Sequence, residues 1–270
     1  MNNQKPEIVY KYCSLESAER IIKDKQIKLT ALSDVNDPFE ALPQTGYIFK
    51  EYHNAENKFR ELIQQKATEY QKSGKTIDAW EHNNSIQYKH FVAEAIHESH
   101  PWLNSISIAK EARKNIFCTC FSETYDNILM WSHYADQHRG CCIAFKSNHL
   151  KMPPFVEIQP VEYVDKRPRL WDDDLQSQFD LPLKKHSMWS YEREWRLVFG
   201  IAETDINSNP DHFLPIGDSI VAVYFGARSK DFNKKGQFDK VLSAITKPIK
   251  KFIARADDVE YKLVFDEYKL

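Results

Sequence analysis

Residues 116–146 have the sequence IFCTCFSETYDNILMWSHYADQHRGCCIAFK, and this stretch decides the class of fold. Its two ends, residues 116–122 and 141–146, are rich in the β-branched and aromatic side chains that are common in strands. Neither end shows helical spacing of its apolar residues. The stretch therefore predicts two strands joined by a different element.

The joining element is predicted to be a short helix. Asp126 or Asn127 can cap its amino terminus, because a short polar side chain there accepts a hydrogen bond from a free backbone N–H group. Its predicted buried face and the glycine past its end comprise Ile128, Trp131, Ala135 and Gly140. The order of elements is then strand, helix, strand.

Further strand patterns occur before and after this stretch, with few helices between them. A helix capped by Ser14 is predicted after the first strand, and a second amphipathic helix covers residues 238–246. The remaining strand patterns cover residues 8–12, 26–29, 156–164, 195–201, 220–225 and 259–265. The Ser14 helix has a predicted apolar face of Leu15, Ala18, Ile21 and Ile22. Many strands with few intervening helices favour an α+β fold over a doubly wound parallel sheet.

The pattern changes between residues 47 and 115, where polar, helix-favouring sequence with spaced apolar residues replaces the strand signals. We interpret this part as a helical insertion. The sequence therefore predicts a single domain over residues 1–270, interrupted by an insertion at about 47–115.

Composition excludes several classes of protein. The 37 Lys and Arg residues nearly balance 39 Asp and Glu residues, so no overall basic field indicates a nonspecific nucleic-acid binder. No apolar run approaches the roughly 18 residues of a membrane span, and residues 1–6 lack the apolar core of a signal peptide. Five cysteines without a C-x-x-C pair fit a reducing compartment. We expect a soluble, cytoplasmic protein without membrane contact.

The segment 189–196, WSYEREWR, is the candidate for chemistry. If residues 191–199 are a strand, alternation places Glu192, Glu194 and Arg196 on one face. Residues two apart on a strand are roughly 6.6 Å apart, so both carboxylates could address one ligand. The alternative is an ion-pair ladder in which Trp195 is an ordinary core residue.

Six motifs carry a resemblance that spans most of the chain apart from the insertion. They are Y-K-Y-x-S from Tyr10, N-D-P-F-E from Asn36, C-F-S-E from Cys120, L-M-W-S-H-Y-A-D from Leu129, G-C-C-I-A-F from Gly140 and the segment 189–196. They resemble a widespread bacterial family of uncharacterised proteins. Their order also resembles the ADP-ribosyltransferase superfamily.

The superfamily resemblance implies a split, two-sheet α+β core and NAD as the ADP-ribose donor. It implies an enzyme of the glycosyltransferase class that modifies a nucleic acid, with RNA favoured, or a protein. A toxin or antiviral defence role, with a possible antitoxin partner, follows from the resemblance alone.

By position in the motifs, Glu194 would be the catalytic glutamate and Glu192 the upstream member of E-x-E. Lys11 or Tyr12 stands where the superfamily has Arg or His on its first strand, and Ser122 would open the central motif. The full set of implied NAD-binding residues is Tyr10, Lys11, Tyr12, Asn36, Asp37, Phe39, Ser122, Trp131, Tyr134 and Arg196.

Several of these residues have a structural interpretation beside the functional one. Trp131 or Tyr134 could stack on nicotinamide or adenine, whereas ordinary helix packing also explains Trp131. Phe39 could contact a base and Asp37 or Glu40 a ribose hydroxyl. Alternatively, Asp37 satisfies backbone groups of a turn and Phe39 anchors the loop to the core.

The acidic residues suit the implied reaction. Cleavage of the bond between nicotinamide and ribose develops oxocarbenium character, which a nearby carboxylate stabilises. His186 could contribute a proton, or it could be a solvent-exposed loop residue. The cysteines lack the usual zinc-ligand spacing, so we expect no metal site. The alternative functions are an RNA-directed phosphotransferase or nuclease and a catalytically inactive binding module.

Overall fold

The computed structural model describes residues 4–42, 113–152, 156–168, 181–200, 212–231 and 236–269. The chain divides into two compact units, and the first contains Met1–Ala41, Arg113–Lys166 and Pro182–Leu270. Every strand and α-helix given below belongs to this first unit. The predicted helical insertion lies outside the described residues except for residues 113–115, which are helical.

The elements bounded within the described residues are fifteen strands, three α-helices and four short 3-10 helices. The helices are α1 (Leu15–Asp24), α2 (Ile128–Tyr134) and α3 (Gln237–Ala244). The strands are β1 (Ile8–Cys13), β2 (Gln26–Lys28), β3 (Thr30–Ala31), β4 (Ile116–Ser122), β5 (Cys141–Lys146), β6 (Lys151–Met152), β7 (Val156–Glu157), β8 (Gln159–Pro160), β9 (Glu162–Val164), β10 (Lys184–His186), β11 (Glu194–Gly200), β12 (Phe213–Pro215), β13 (Ile220–Phe225), β14 (Lys250–Ala256) and β15 (Leu263–Glu267).

Nine strands form one large sheet in the order β15-β14-β13-β5-β1-β4-β11-β8, with β3 paired to β4. The pair β13 and β14 is parallel, and the other pairs in this sheet are antiparallel. Three two-stranded sheets accompany it among the described residues. A large mixed sheet with few helices confirms the predicted α+β class.

The large sheet is weakly joined between β1 and β4. A single residue pair, Tyr10 opposite Ser122, links these strands, whereas β1 pairs with β5 along its whole length. Beyond that pair, the Lys11 side chain bridges the two strands. Its Nζ donates to Thr119 Oγ1 at 2.8 Å and to the Cys120 carbonyl at 3.2 Å. The sheet therefore opens between β1 and β4.

Helix α1 follows the local rules. The Ser14 hydroxyl accepts a hydrogen bond from the Ser17 N–H, and the four apolar residues predicted for its inner face are buried. Helix α2 differs in one residue, because Ile128 is the first residue of the helix and its side chain is 38% exposed. Met130 instead joins Trp131 in the core. The prediction for Ile128 was wrong.

Two predicted strands differ from the structure by more than one residue at an end. Residues 156–164 form three short strands, β7, β8 and β9, rather than one. Residues 259–262 form a bend with Val259 91% exposed, and β15 begins at Leu263. Strand β14 was not predicted, because Lys250, Lys251 and Arg255 disguise its alternation. In the part of the chain that the structure describes, no helix is both long and apolar enough to cross a membrane.

Asn127 caps α2 and also ties it to the segment before β11. Its Oδ1 accepts from the N–H groups of Leu129 and Met130 at 2.9 and 3.2 Å, and its Nδ2 donates to the Tyr191 carbonyl at 3.0 Å. We expect Asn127→Ala to lower the free energy of unfolding by about 1–2 kcal/mol, measured by urea denaturation. Asn127→Asp keeps the capping oxygen and should lose less. Equal losses in both variants would contradict a capping role.

Candidate functional site

The segment before β11 is not the predicted continuous strand. Residues Ser187–Glu192 form a 3-10 helix, and Arg193 follows with a left-handed backbone (φ 44°). Strand β11 then begins at Glu194, one residue before the predicted strand, and the extended conformation considered for residues 191–193 does not occur. The turn at Arg193 nevertheless brings both glutamates to one cation, because Lys185 Nζ lies 2.5 Å from Glu192 Oε2 and 3.1 Å from Glu194 Oε2.

The side chain of Glu194 is held by Arg196, the next residue on the same face of β11. Arg196 donates to both of its carboxylate oxygens, with Nη2 at 2.8 Å from Oε1 and 3.0 Å from Oε2. Arg196 Nη1 also contacts Glu40 Oε1 at 2.8 Å and the Pro182 carbonyl at 2.5 Å. These charged side chains are almost fully buried, with Arg196 only 1% exposed. Burial without these partners would be costly, so each charge requires the others.

Glu192 has a different set of partners. Its Oε1 accepts from the Tyr134 hydroxyl at 2.6 Å, and its Oε2 accepts from Lys185. The Tyr134 oxygen in turn accepts from Asn36 Nδ2 at 3.0 Å. The Ser122 hydroxyl donates to the Glu192 carbonyl at 2.7 Å, which fixes the backbone. Two side chains therefore hold this carboxylate directly, and Ser122 holds the main chain of the same residue.

The pKa values of the two glutamates are shifted in opposite directions. Burial would raise the pKa of Glu194, but the charges of Arg196 and Lys185 outweigh it and lower the pKa to about 2. Burial raises the pKa of Glu192, the Lys185 charge offsets part of that effect, and the Glu194 charge adds to it. The Lys185 pKa is raised because the two carboxylates outweigh its own burial. Glu192 is thus the more easily protonated of the two carboxyls.

The lowered pKa of Glu194 predicts a loss of stability in acid. A carboxyl with a pKa of about 4.3 in the unfolded chain and about 2 in the folded chain stabilises the fold above the unfolded value. That contribution is lost as pH falls through the folded value. Unfolding free energies should show an advantage of wild type over Glu194→Gln that shrinks by on the order of 2 kcal/mol between pH 5 and pH 2.5. A constant difference across that range would contradict the charged state of Glu194.

These side chains line a pocket at the opening between β1 and β4, which we call the Glu192 pocket. Its cavity volume is about 120 Å³. Its lining residues are Tyr10, Lys11, Tyr12, Val35, Asn36, Glu40, Cys120, Phe121, Ser122, Met130, Tyr134, Lys185, Glu192, Glu194 and Arg196. Residues of β1, of the loop after β3, of β4 and of α2 thus line the pocket together with the two glutamates.

Most of the residues predicted for the site are brought together here. Both glutamates and seven of the ten predicted NAD-binding residues line the pocket: Tyr10, Lys11, Tyr12, Asn36, Ser122, Tyr134 and Arg196. The other three are Asp37, Phe39 and Trp131, and they do not line it.

Each of these three residues has a different environment. Asp37 is buried and its Oδ1 accepts from the Phe39 N–H at 2.9 Å, as expected of a turn residue. Phe39 is 58% exposed, so it does not anchor the loop to the core. Trp131 is fully buried and its Nε1 donates to the Tyr125 carbonyl at 2.7 Å, which fits helix packing.

Lys185 is the site residue that sequence reasoning missed. It precedes the acidic segment by only a few residues, but the run Lys184-Lys185-His186 looks like a solvated charged strand. Parallel pairing of β10 with β9 buries its side chain, and its ammonium also lies 5.0 Å from the centre of the Trp189 ring. His186 is exposed and its Nδ1 accepts from the Met188 N–H, as a local cap does.

A family described as "Protein of unknown function (DUF2971)" matches residues 130–197. The matched segment includes Tyr134, Lys185, Glu192, Glu194 and Arg196, and so contains four of the six charged residues that line the pocket. No curated protein and no solved structure matches the chain. The chain is thus similar over this segment to an uncharacterised family, and the superfamily resemblance rests on the motifs.

Proposed function

We propose that the Glu192 pocket binds part of an NAD molecule and promotes transfer of ADP-ribose to an acceptor. The observation that carries this proposal is a carboxylate of raised pKa, Glu192, held by Tyr134 and Lys185 at the opening of a split sheet. The opening between β1 and β4 fits the two-sheet core that the motifs imply. The acceptor class is a nucleic acid, with RNA favoured, or a protein.

In this reaction the bond between the ribose C1′ and the nicotinamide nitrogen breaks, and its electron pair neutralises the nicotinamide. The Glu192 carboxylate stabilises the positive charge that develops on the ribose. An acceptor oxygen or nitrogen then bonds to C1′, and Glu192 takes its proton. A carboxylate with a raised pKa is suited to that last step, because it accepts a proton more readily than an ordinary carboxylate does.

The order of the motifs favours Glu194 as the catalytic glutamate. We instead assign the ribose contact to Glu192. Both oxygens of Glu194 accept hydrogen bonds from Arg196, and one also accepts from Lys185. Its lowered pKa makes it a poor proton acceptor. Glu194, itself held by Arg196, instead holds Lys185 in place beside Glu192.

The size of the pocket limits what it can enclose. A volume of about 120 Å³ is well below the roughly 300–1,000 Å³ of complete small-molecule sites. It suits one ring, such as nicotinamide or ribose, with the remainder of the dinucleotide outside. Tyr10 and Tyr12 supply aromatic surface beside that ring. The effector role as a toxin or defence protein, cytoplasmic location and an antitoxin partner remain proposals from the motif resemblance.

One observation favours a second candidate, a binding module that keeps the cleft without catalysis. Every carboxylate oxygen of Glu192 and Glu194 already has a partner within the protein. A satisfied ion-pair network of this kind can be purely structural. A ligand would then bind beside the network without displacing any of its contacts.

The two candidates differ in whether NAD is consumed. Purified protein incubated with NAD should release nicotinamide, detected by chromatography. A mass-spectrometric search for ADP-ribose adducts on cellular RNA, DNA and protein then identifies the acceptor. Tight partner binding without NAD binding or nicotinamide release would favour the binding module.

A further inference from the structure

A chain of two hydrogen bonds runs from the loop after β3 to the carboxylate of Glu192. Asn36 Nδ2 donates to the Tyr134 oxygen at 3.0 Å, and the Tyr134 hydroxyl donates to Glu192 Oε1 at 2.6 Å. Asn36 lies in a loop, Tyr134 is the last residue of α2, and Glu192 ends the 3-10 helix before β11. The chain thus joins three elements that are distant in sequence.

The donors fix the direction of this chain. A carboxylate only accepts, and an amide NH₂ group only donates, so the single hydroxyl hydrogen of Tyr134 must point to Glu192. The short distance of 2.6 Å is typical of an O–H group donating to a charged oxygen. Tyr134 therefore uses its polar end on Glu192, which leaves its ring as a wall of the pocket.

We propose that Tyr134 is a positioning residue that aims and stabilises the Glu192 carboxylate, and that Asn36 fixes the orientation of its hydroxyl. This assigns Tyr134 a role through Glu192 instead of the nucleotide stacking that the motifs imply. It also couples the exposed Asn36 loop to the buried carboxylate. The part of this inference that concerns catalysis rests on the proposed function, and the part that concerns electrostatics does not.

Several charged and titratable groups face Glu192 besides Tyr134. They are Lys185 on β10, Glu194 on β11, Tyr163 on β9 and Tyr191 on the same 3-10 helix. The Lys185 contact takes Oε2, whereas Tyr134 takes Oε1. Removing the tyrosine hydroxyl thus leaves the ion pair intact and removes one stabilising contact from the charged form.

The test measures the titration of Glu192 itself. With ¹³C-labelled glutamate, the side-chain carboxyl signal of Glu192 is identified by its disappearance in Glu192→Gln. Tyr134→Phe should raise the pKa of Glu192 by about one unit, the size expected for loss of one hydrogen bond to a charged group. Asn36→Ala should raise it by less, because the hydroxyl can still donate.

Tyr224→Phe is the matched control. It makes the same change within the aromatic cluster that contains Tyr134, but the pKa of Tyr224 is shifted by burial, Tyr10, Tyr125 and Cys142 and not by Glu192. It should leave the Glu192 titration unchanged. Circular dichroism confirms that each variant is folded. An unchanged Glu192 midpoint in folded Tyr134→Phe, or an equal shift in Tyr224→Phe, would overturn the positioning role.

This experiment needs neither NAD nor an acceptor, so it separates the two proposals. A shifted midpoint without nicotinamide release supports the positioning of Glu192 and counts against the proposed reaction. If nicotinamide is released, Tyr134→Phe should also move the acidic limb of the kcat profile to higher pH, since the ionised carboxylate is required. A limb that stays in place while the midpoint shifts would overturn the catalytic part of the inference.

Discussion

Glu192→Gln is expected to reduce the rate of nicotinamide release by about 10³-fold, because glutamine removes the negative charge that stabilises the developing ribose cation. The amide has almost the same shape and can still accept from the Tyr134 hydroxyl, so the pocket should keep its form. NAD binding should change much less than turnover. Nicotinamide release under saturating NAD and calorimetric NAD binding measure the two quantities separately.

Glu194→Gln is the companion variant, because it makes the same chemical change one residue beyond the turn. Compared with Glu192→Gln, it should lower the free energy of unfolding more and the rate of nicotinamide release less. The reason is that Glu194 pairs with Arg196 and Lys185. Full turnover in folded Glu192→Gln, with loss of turnover in Glu194→Gln, would return the catalytic role to the residue that the motif order indicates.

Arg196→Leu is expected to lower the free energy of unfolding by about 3–5 kcal/mol, since it removes the arginine partner that two buried carboxylates share. Arg196 contacts Glu194 at 2.8 Å and Glu40 at 2.8 Å, and all three side chains are 4% exposed or less. Urea denaturation at neutral pH measures the loss. A second substitution, Glu194→Leu, should recover part of it by removing one of the two carboxylates that lost this arginine.

Arg20→Leu provides the control for removal of an arginine. Arg20 pairs with Glu16 one turn away on α1. The two side chains are largely exposed, at 72% and 67%. Exposed pairs of this kind contribute less than about 1 kcal/mol. Similar losses from Arg20→Leu and Arg196→Leu would show that burial of the Arg196 network does not matter for stability.

Local features of the sequence predict α1, β4 and β5 well. Ser14 and the four apolar residues of α1 satisfy a short-range rule that needs no knowledge of the rest of the fold. The predicted limits of β4 and β5 match those of the structure. These elements carry dense apolar sequence, so their local preference and their burial agree.

Only part of the candidate site can be predicted from local sequence. The convergence of Glu192 and Glu194 was predicted, but from strand alternation, whereas a left-handed residue at Arg193 actually produces it. Arginine has no marked preference for that backbone region, so the turn is not visible in the sequence. Lys185 reaches the glutamates through pairing of β10 with β9. Such pairing depends on tertiary contacts, which a single sequence does not show.

The narrow join between β1 and β4 has a mechanical consequence. Moving these strands apart near the pocket would break few main-chain hydrogen bonds, since Tyr10 and Ser122 form the only paired position between them. The Lys11 side chain would hold the two strands together through its hydrogen bonds to Thr119 and Cys120, which can break and re-form. The pocket could therefore widen locally at this join while the full ladder between β1 and β5 stays intact.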